Sequence, residues 1–234
     1  MNIYAALALC FVPYAVVFLV LKFFGKIKIT IELLATLFGL LAVLPITFLQ
    51  FYIGGFAFFN KNSWSGQLLK TILFNGFVEE VLKMLVMAVM FLLIRKKLTL
   101  TNFFGCAILC GLSLGCFESA VYFLQHLQHA NNMGAYLVYE EIFMRMFTAD
   151  FVHMFCAGLS GLFIWSVSRH KTDILAIIYS VLLHGLYNFF ILYDSFFWFA
   201  IAAILFAAIQ CRLRYTIQAA QKPLIRRKRK PADT

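Results

Sequence analysis

Seven apolar stretches, each close to the length that crosses a bilayer, dominate the sequence and limit what the chain can fold into. A hydrocarbon core of about 30 Å is crossed by about 20 helical residues. With 63% hydrophobic and 13% charged residues among 234, the chain lacks the polar surface that a soluble globule needs. The stretches run approximately over 3–24, 31–52, 68–94, 103–124, 142–167, 174–192 and 196–209.

The sequence therefore predicts an all-α fold, a polytopic membrane bundle of about seven transmembrane helices. The seventh stretch is the shortest, and it reaches the interface only if Cys211 and the stem of Arg212 extend it. Neither a linker nor an internal repeat divides the chain. We expect one transmembrane domain over residues 1–221, followed by a basic tail over 222–234.

The basic residues predict the orientation of this bundle. Lys and Arg cluster after the first, third, fifth and seventh stretches and are sparse at the other junctions. Because short cytoplasmic loops retain basic residues, we expect the N-terminus outside and the C-terminus in the cytoplasm of a multi-pass protein of the cell membrane, plasma or inner.

The net charge of +10 and the run RRKRK at 226–230 raise the question of nucleic-acid binding. The run directly follows a membrane stretch, however, which favours a topology anchor that contacts anionic lipid. We therefore expect the lipid bilayer, and no nucleic acid, as a partner.

Polar residues inside four of the stretches are the strongest indication of chemistry. Lipid excludes such residues unless they face the interior of the bundle and pair with one another. Glu79, Glu80, His153 and His184 lie near the middle of their stretches and Glu118 a few residues outward, which would bring these ionisable groups to one layer. The polar residues are Asn75, Glu79, Glu80, Lys83, Glu118, Tyr122, Asp150, His153, His184 and Asn188.

Helical spacing predicts the directions in which the charged side chains of the third stretch face. Glu79 and Lys83 are four residues apart, whereas Glu80 is turned by about 100° from Glu79 and lies three residues from Lys83. Lys83 can therefore neutralise one carboxylate while the other faces a second direction.

The same argument applies to the fifth and sixth stretches. His184 and Asn188 are one turn apart and can present a ring nitrogen and an amide to one cavity. Asp150 stands three residues before His153, and we expect its carboxylate to orient that imidazole.

Four short motifs containing these residues, in this order, resemble those of the PrsW proteases. The resemblance covers about residues 68–190. Ser119 stands where the family more often has Asn. The motifs are the paired glutamates and lysine of EEVLK at 79–83, GCFES at 115–119 with Tyr122, the set Arg145, His153 and Gly161, and HGLYN at 184–188.

The resemblance implies an intramembrane endopeptidase that acts on membrane-embedded or membrane-proximal protein substrates. In some members it implies the first cut of a membrane-bound anti-sigma factor. The wider superfamily includes type II CAAX prenyl proteases and a noncatalytic scaffold subunit of gamma-secretase. A noncatalytic scaffold or receptor is therefore the alternative reading, and a transporter is a third, because polar networks also line transport pathways.

Peptide hydrolysis in a membrane needs water, a base to activate it and a donor to the developing oxyanion. Two neighbouring carboxylates cannot both ionise freely, so one can exchange protons. In the glutamate version, Glu79 or Glu80 activates water with His153, and the oxyanion is bound by His184 and Asn188.

A metal version is equally open at this point. PrsW proteins are described as metalloproteases, whereas their closest catalytic superfamily relatives are described as glutamate proteases. In this version Glu118, His153 and His184 are ligands to zinc with water in the open position, and a Glu of the pair is the base.

Overall fold

The computed structural model describes residues 2–54, 63–127 and 135–221, and every regular element within these residues is helical. The predicted basic tail at 222–234 lies outside them. The helices are α1 (Ile3–Cys10), α2 (Val12–Phe23), α3 (Ile29–Gly54), α4 (Trp64–Lys70), a π-helix called here the π segment (Thr71–Glu79), α5 (Glu80–Ile94), α6 (Leu100–Leu127), α7 (Ala135–Phe147), α8 (Ala149–Ser168), α9 (Ile174–Phe190) and α10 (Phe197–Ala220).

The helices confirm a multi-pass membrane bundle. Four described stretches are long and apolar enough to cross a bilayer, namely Ile29–Gly54, Leu100–Leu127, Tyr136–Ser168 and Asp194–Ala220. The pair α1 and α2, bent by 43°, makes a fifth if it crosses as one span. The helix α9 has 17 residues, and the run from α4 to α5 carries the charges of Glu79, Glu80 and Lys83. The count of seven crossings stays a prediction.

The helix α10 extends beyond the seventh apolar stretch, which ends at residue 209, and continues to Ala220. The polar residues beyond 209 find partners in the bundle. Arg214 forms an ion pair with Asp173, and the Gln218 side chain donates to the backbone oxygen of Leu162 over 3.1 Å. Because each of these side chains pairs through one of its polar atoms inside the protein, α10 can continue beyond its apolar run.

Two helices, α6 and α8, form the centre of the bundle. Residues 109–116 of α6 and 156–162 of α8 are all buried, which is typical of helices enclosed on every side. The two backbones approach closely at Gly111, where a Cβ atom would collide with the backbone oxygen of His153. A small residue is required at this crossing, and the crossing sets the depth of His153 next to α6.

The helix α3 lies at the periphery of the bundle. It exposes Leu41, Leu44, Phe48 and Phe51 at intervals of three or four residues, which is the pattern of a helix face turned toward lipid. Pro45 lies inside this helix. Its ring cannot donate the usual backbone hydrogen bond, so α3 is weakened at its middle.

Two departures from regular α-helix border the polar layer. In the π segment, backbone hydrogen bonds run to the fifth residue, a geometry that occurs mostly at functional sites, and the segment ends at Glu79. Thr148 separates α7 from α8 with φ −121° and ψ −75°. Asp150 follows in the first turn of α8. The sequence predicted neither feature.

Candidate active site

The π segment packs tightly on α9, and this contact sets the position of the paired glutamates. A Cβ atom at Gly76 would collide with the backbone oxygen of Val181, and one at Gly185 would lie 2.6 Å from the Cα atom of Ile72. Only glycine lets these two backbones approach so closely. The approach places Glu80, the residue after the π segment, beside His184 of α9.

Glu80 is fully buried, and both of its oxygens have partners. Its Oε1 atom lies 2.5 Å from Lys83 Nζ and 2.6 Å from His184 Nδ1. The Ser180 hydroxyl donates to Oε2 over 2.8 Å. A carboxylate held in this way neutralises Lys83 and orients the His184 ring. The expected pairing of Lys83 with one of the two glutamates is present, with Glu80 as the partner.

Glu79 faces a different direction and is less constrained. Gln50 of α3 donates to its Oε1 atom over 2.9 Å, and its Oε2 atom lies 3.7 Å from His184 Nε2. Unlike the side chain of Glu80, that of Glu79 borders a cavity. Of the two neighbouring carboxylates, Glu79 is therefore the one that water or a substrate can reach.

His153 lies between the carboxylate of Glu118 and the ammonium group of Lys83. Its Nε2 atom lies 2.7 Å from Glu118 Oε2, and its Nδ1 atom lies 3.3 Å from Lys83 Nζ. An ammonium group only donates, so this network assigns the lone pair to Nδ1 and the proton to Nε2. The rings of His153 and His184 are nearly perpendicular, with centroids 4.7 Å apart.

Glu118 is held from its other side by Arg145. The Nη2 atom of Arg145 donates to Glu118 Oε1 over 3.3 Å, and its guanidinium lies over the ring of Tyr122 at 4.1 Å. The side chain of Glu118 is 32% exposed, so one edge stays open to the cavities described below. Glu118 thus joins α6, α7 and α8 at the site.

Asp150 has different partners from the expected one. It accepts hydrogen bonds from the Ser119 hydroxyl at 2.8 Å and from the Cys116 thiol at 3.5 Å, because its side chain points to α6 rather than along α8 toward His153. The Ser119 hydroxyl in turn accepts from Arg145 Nε over 3.2 Å. Asp150 therefore connects to the site through Ser119 and Arg145.

Two cavities meet at this polar layer. The α3–α6 cavity, of about 300 Å³, lies between those helices and is bordered by Glu79 and His184. The α4–α7 cavity, of about 430 Å³, is bordered by Lys70, Arg145 and His153. Both are lined by the residues between them, which are Asn75, Glu118, Tyr122 and Asn188. Asn188 also donates to the backbone oxygen of His184 over 3.2 Å.

A family model describing the PrsW family intramembrane metalloproteases matches residues 28–210. This match covers most of the chain and contains all the polar residues of the site. The chain belongs to the PrsW family. It is therefore a peptidase of the membrane, whose substrates are membrane proteins. Searches of curated proteins and of solved structures gave no match.

The metal that the PrsW family name implies can be tested against the residues present. Glu79, His153 and His184 offer ligand atoms that all lie within 4.8 Å of one another. Two imidazoles and one carboxylate are a donor set that zinc accepts at catalytic sites. His184 also has the carboxylate partner on Nδ1 that metal-binding histidines usually have. The donors fit a metal, with Glu79 in the place that the sequence gave to Glu118.

The sequence alone does not single out two residues of this PrsW site, Gln50 and Ser180. Gln50 holds Glu79 but lies at the end of a different apolar stretch, where a polar residue is normally assigned to the membrane interface. Ser180 contacts Glu80, yet small hydroxyl residues are common at helix contacts in membranes and give no specific signal. Both are identified only by the packing of α3 and α9 on the π segment and α5.

Proposed function

We propose that this PrsW protein is an intramembrane endopeptidase whose hydrolytic centre consists of Glu79, His153 and His184. The observation that carries the proposal is the convergence of their ligand atoms within 4.8 Å where two cavities meet. Burying several ionisable groups together inside a bundle costs free energy, so such a cluster indicates a functional site. Cavities on two sides provide room for a peptide and for water.

In this proposal Glu79 is the general base. Gln50 holds Oε1, so Oε2 is the oxygen that accepts a proton from the attacking water. Glu80 is a positioning residue, because it is enclosed by Lys83, Ser180 and His184 and borders neither cavity itself.

The developing oxyanion is bound by His184 and Asn188. Glu80 on Nδ1 directs the Nε2 atom of His184 toward Glu79. The Glu80 carboxylate accepts the Nδ1 proton, so Nε2 donates to the oxyanion when the ring is an imidazolium with a proton on both nitrogens. The Asn188 amide has two hydrogens, and its bond to the His184 backbone uses one. The second is available to the substrate oxygen.

The metal version uses the same residues with different roles. Glu79, His153 and His184 would hold the ion, which when bound would polarise the scissile carbonyl and acidify water. Histidines bind a metal in the neutral form, and Glu118, which lies 2.7 Å from His153 Nε2, would hold the His153 ring in place. Glu118 is then the carboxylate left to act as the base.

We extend the proposal to the biological setting. The substrate is a single-span regulatory protein such as an anti-sigma factor, cut for the first time by this enzyme. The chain lies in the plasma or inner membrane with seven crossings, its N-terminus outside and one transmembrane domain over 1–221. The tail at 222–234, outside the described residues, is cytoplasmic and contacts anionic lipid.

The test is incubation of the purified protein with single-span membrane substrates, with new peptide termini identified by mass spectrometry. We expect cleavage by the wild type and a severe loss in Glu79→Gln. Cleavage at the same rate by Glu79→Gln would remove this cluster from the mechanism.

A further inference from the structure

The α3–α6 cavity has one reactive wall and one apolar wall. Glu79 and His184 border one side, whereas Ile46 of α3 and Leu114 and Val121 of α6 border the other. The α4–α7 cavity instead carries Lys70, Glu141 and Arg145 among its lining residues. The two cavities thus differ in chemistry. Away from Glu79, His153 and His184, the α4–α7 cavity is the more strongly charged of the two.

The α3–α6 cavity borders on the tight contact between these two helices. Their first halves are locked together, since a Cβ atom at Gly39 would collide with the Ser113 side chain and Ser113 donates to the backbone oxygen of Thr36 over 3.3 Å. The contact continues to Ile46 and Leu114. Beyond Ile46 and Leu114, residues of both helices border the cavity, among them Thr47 and Gln50 of α3 and Phe117 and Val121 of α6.

The mouth of this cavity faces the lipid side of the bundle. Thr47 borders the cavity and is exposed, and Phe117 across the gap is 38% exposed. Next to Thr47 on the same helix, Leu44 and Phe48 belong to the lipid-facing stripe of α3. A membrane segment can therefore reach Glu79 sideways from the bilayer.

The lining also suits an unwound peptide. At about 300 Å³, the cavity is at the small end of ligand pockets, with room for one or two side chains rather than for a helix. An unwound backbone in a membrane needs hydrogen-bond partners for its amides. The side chains of Gln50, Asn75 and Asn188 border the same cavity and carry both donors and acceptors.

We propose that the gap between the second halves of α3 and α6 is the substrate entrance, through which an apolar, locally unwound segment of a membrane-spanning protein reaches Glu79. Its apolar side chain rests on Ile46, Leu114 and Val121, while water arrives through the α4–α7 cavity. This inference rests on the proposed protease function, and it adds the path and the chemistry of the substrate.

The experiment compares two neighbouring positions of α3. In the inactive Glu79→Gln background, a photo-crosslinking amino acid at Thr47 should capture a single-span substrate, and one at Phe48, which is 68% exposed to lipid, should capture much less. In the active enzyme, Thr47→Trp should lower kcat/KM about tenfold or more by overfilling the mouth. Phe48→Trp should stay within about twofold of wild type.

A second tryptophan substitution tests whether the loss of activity is specific to position 47. Val121→Trp narrows the same gap from α6 and should repeat the loss, with unchanged thermal unfolding as the evidence of a folded protein. Equal crosslinking from positions 47 and 48, or full activity of both tryptophan variants, would overturn the entrance.

The substrate entrance and the protease function can be refuted separately. If the wild type cleaves substrates while both tryptophan variants do too, the entrance is refuted and the protease function stands. If the wild type cleaves nothing, the protease function is refuted. Preferential crosslinking at position 47 would then still support the entrance as a peptide-binding gap, and its absence would refute that as well.

Discussion

The Nδ1 atom of His184 lies 2.6 Å from Oε1 of Glu80, and this contact separates the roles of two adjacent glutamates. Glu80 is enclosed by a lysine, a serine and this histidine. Glu79, one residue earlier, borders a cavity and is held by Gln50. The π-helix ends at Glu79 and α5 begins at Glu80, and the two adjacent side chains point to different surroundings, as expected for neighbours on a helix.

Glu79→Gln should reduce proteolysis by roughly 10²- to 10⁴-fold, the usual contribution of a positioned general base. The amide keeps the size of the side chain but cannot accept the proton of the attacking water. Cleavage rates of a single-span substrate in detergent or liposomes measure this effect. Glu140→Gln, on an exposed side chain of α7, is the matched control and should cleave as the wild type does.

Glu80→Gln should chiefly affect stability. It leaves the Lys83 ammonium fully buried without its carboxylate partner, and breaking a buried pair in this way costs about 3–5 kcal/mol. Thermal unfolding should shift to a clearly lower temperature than in Glu79→Gln, whose carboxylate has no such partner. Equal unfolding temperatures of the two variants would contradict the assigned roles.

Gln50→Leu should lower kcat by about 10- to 100-fold, because a hydrogen bond to a charged group contributes about 1.5–3 kcal/mol. The protein should stay folded, and kcat should fall by a larger factor than KM rises, because Gln50 holds Glu79 as well as bordering the cavity. Phe51→Leu, on the lipid-facing side of α3, is the neighbouring control. A loss of the same size in that variant would mean that α3 packing, and not the Glu79 contact, is responsible.

Metal content decides between the two forms of the mechanism. If the donor set holds zinc, purified protein should contain near-stoichiometric metal, release it to a membrane-permeant chelator and regain activity with added zinc. His153→Ala and His184→Ala should lose the metal, and Glu118→Gln should keep it, because Glu118 stands outside the donor group. Full activity of a preparation shown by elemental analysis to be metal-free would leave the glutamate–histidine mechanism.

Orientation can be measured with fused reporters. Because the basic residues cluster at alternate junctions, reporters placed after Lys97 and after Lys171 should lie in the cytoplasm. One placed near Asn131 should lie outside. The reversed pattern would show that the charge distribution does not set the topology of this chain.

The sequence by itself determined that this protein lies in a lipid bilayer and which ionisable groups it places there. Apolar length and composition predicted a helical membrane bundle, because lipid leaves few other ways to satisfy a backbone. The cost of burying ionisable groups singled out Glu79, Glu80, Glu118, His153 and His184, and the spacing of Glu80 and Lys83 already allowed their pairing. These are properties of local sequence and of its environment.

The tertiary structure alone decided which residue does what. The spacing rules of a regular helix could not predict the π segment, whose Gly76 packs against α9. The partner of Asp150 is on α6, and the partner of Glu79 is on α3, so neither follows from spacing within one helix. Contacts between helices far apart in sequence are set by how their surfaces fit. That fit made Glu79 the accessible carboxylate and enclosed Glu80.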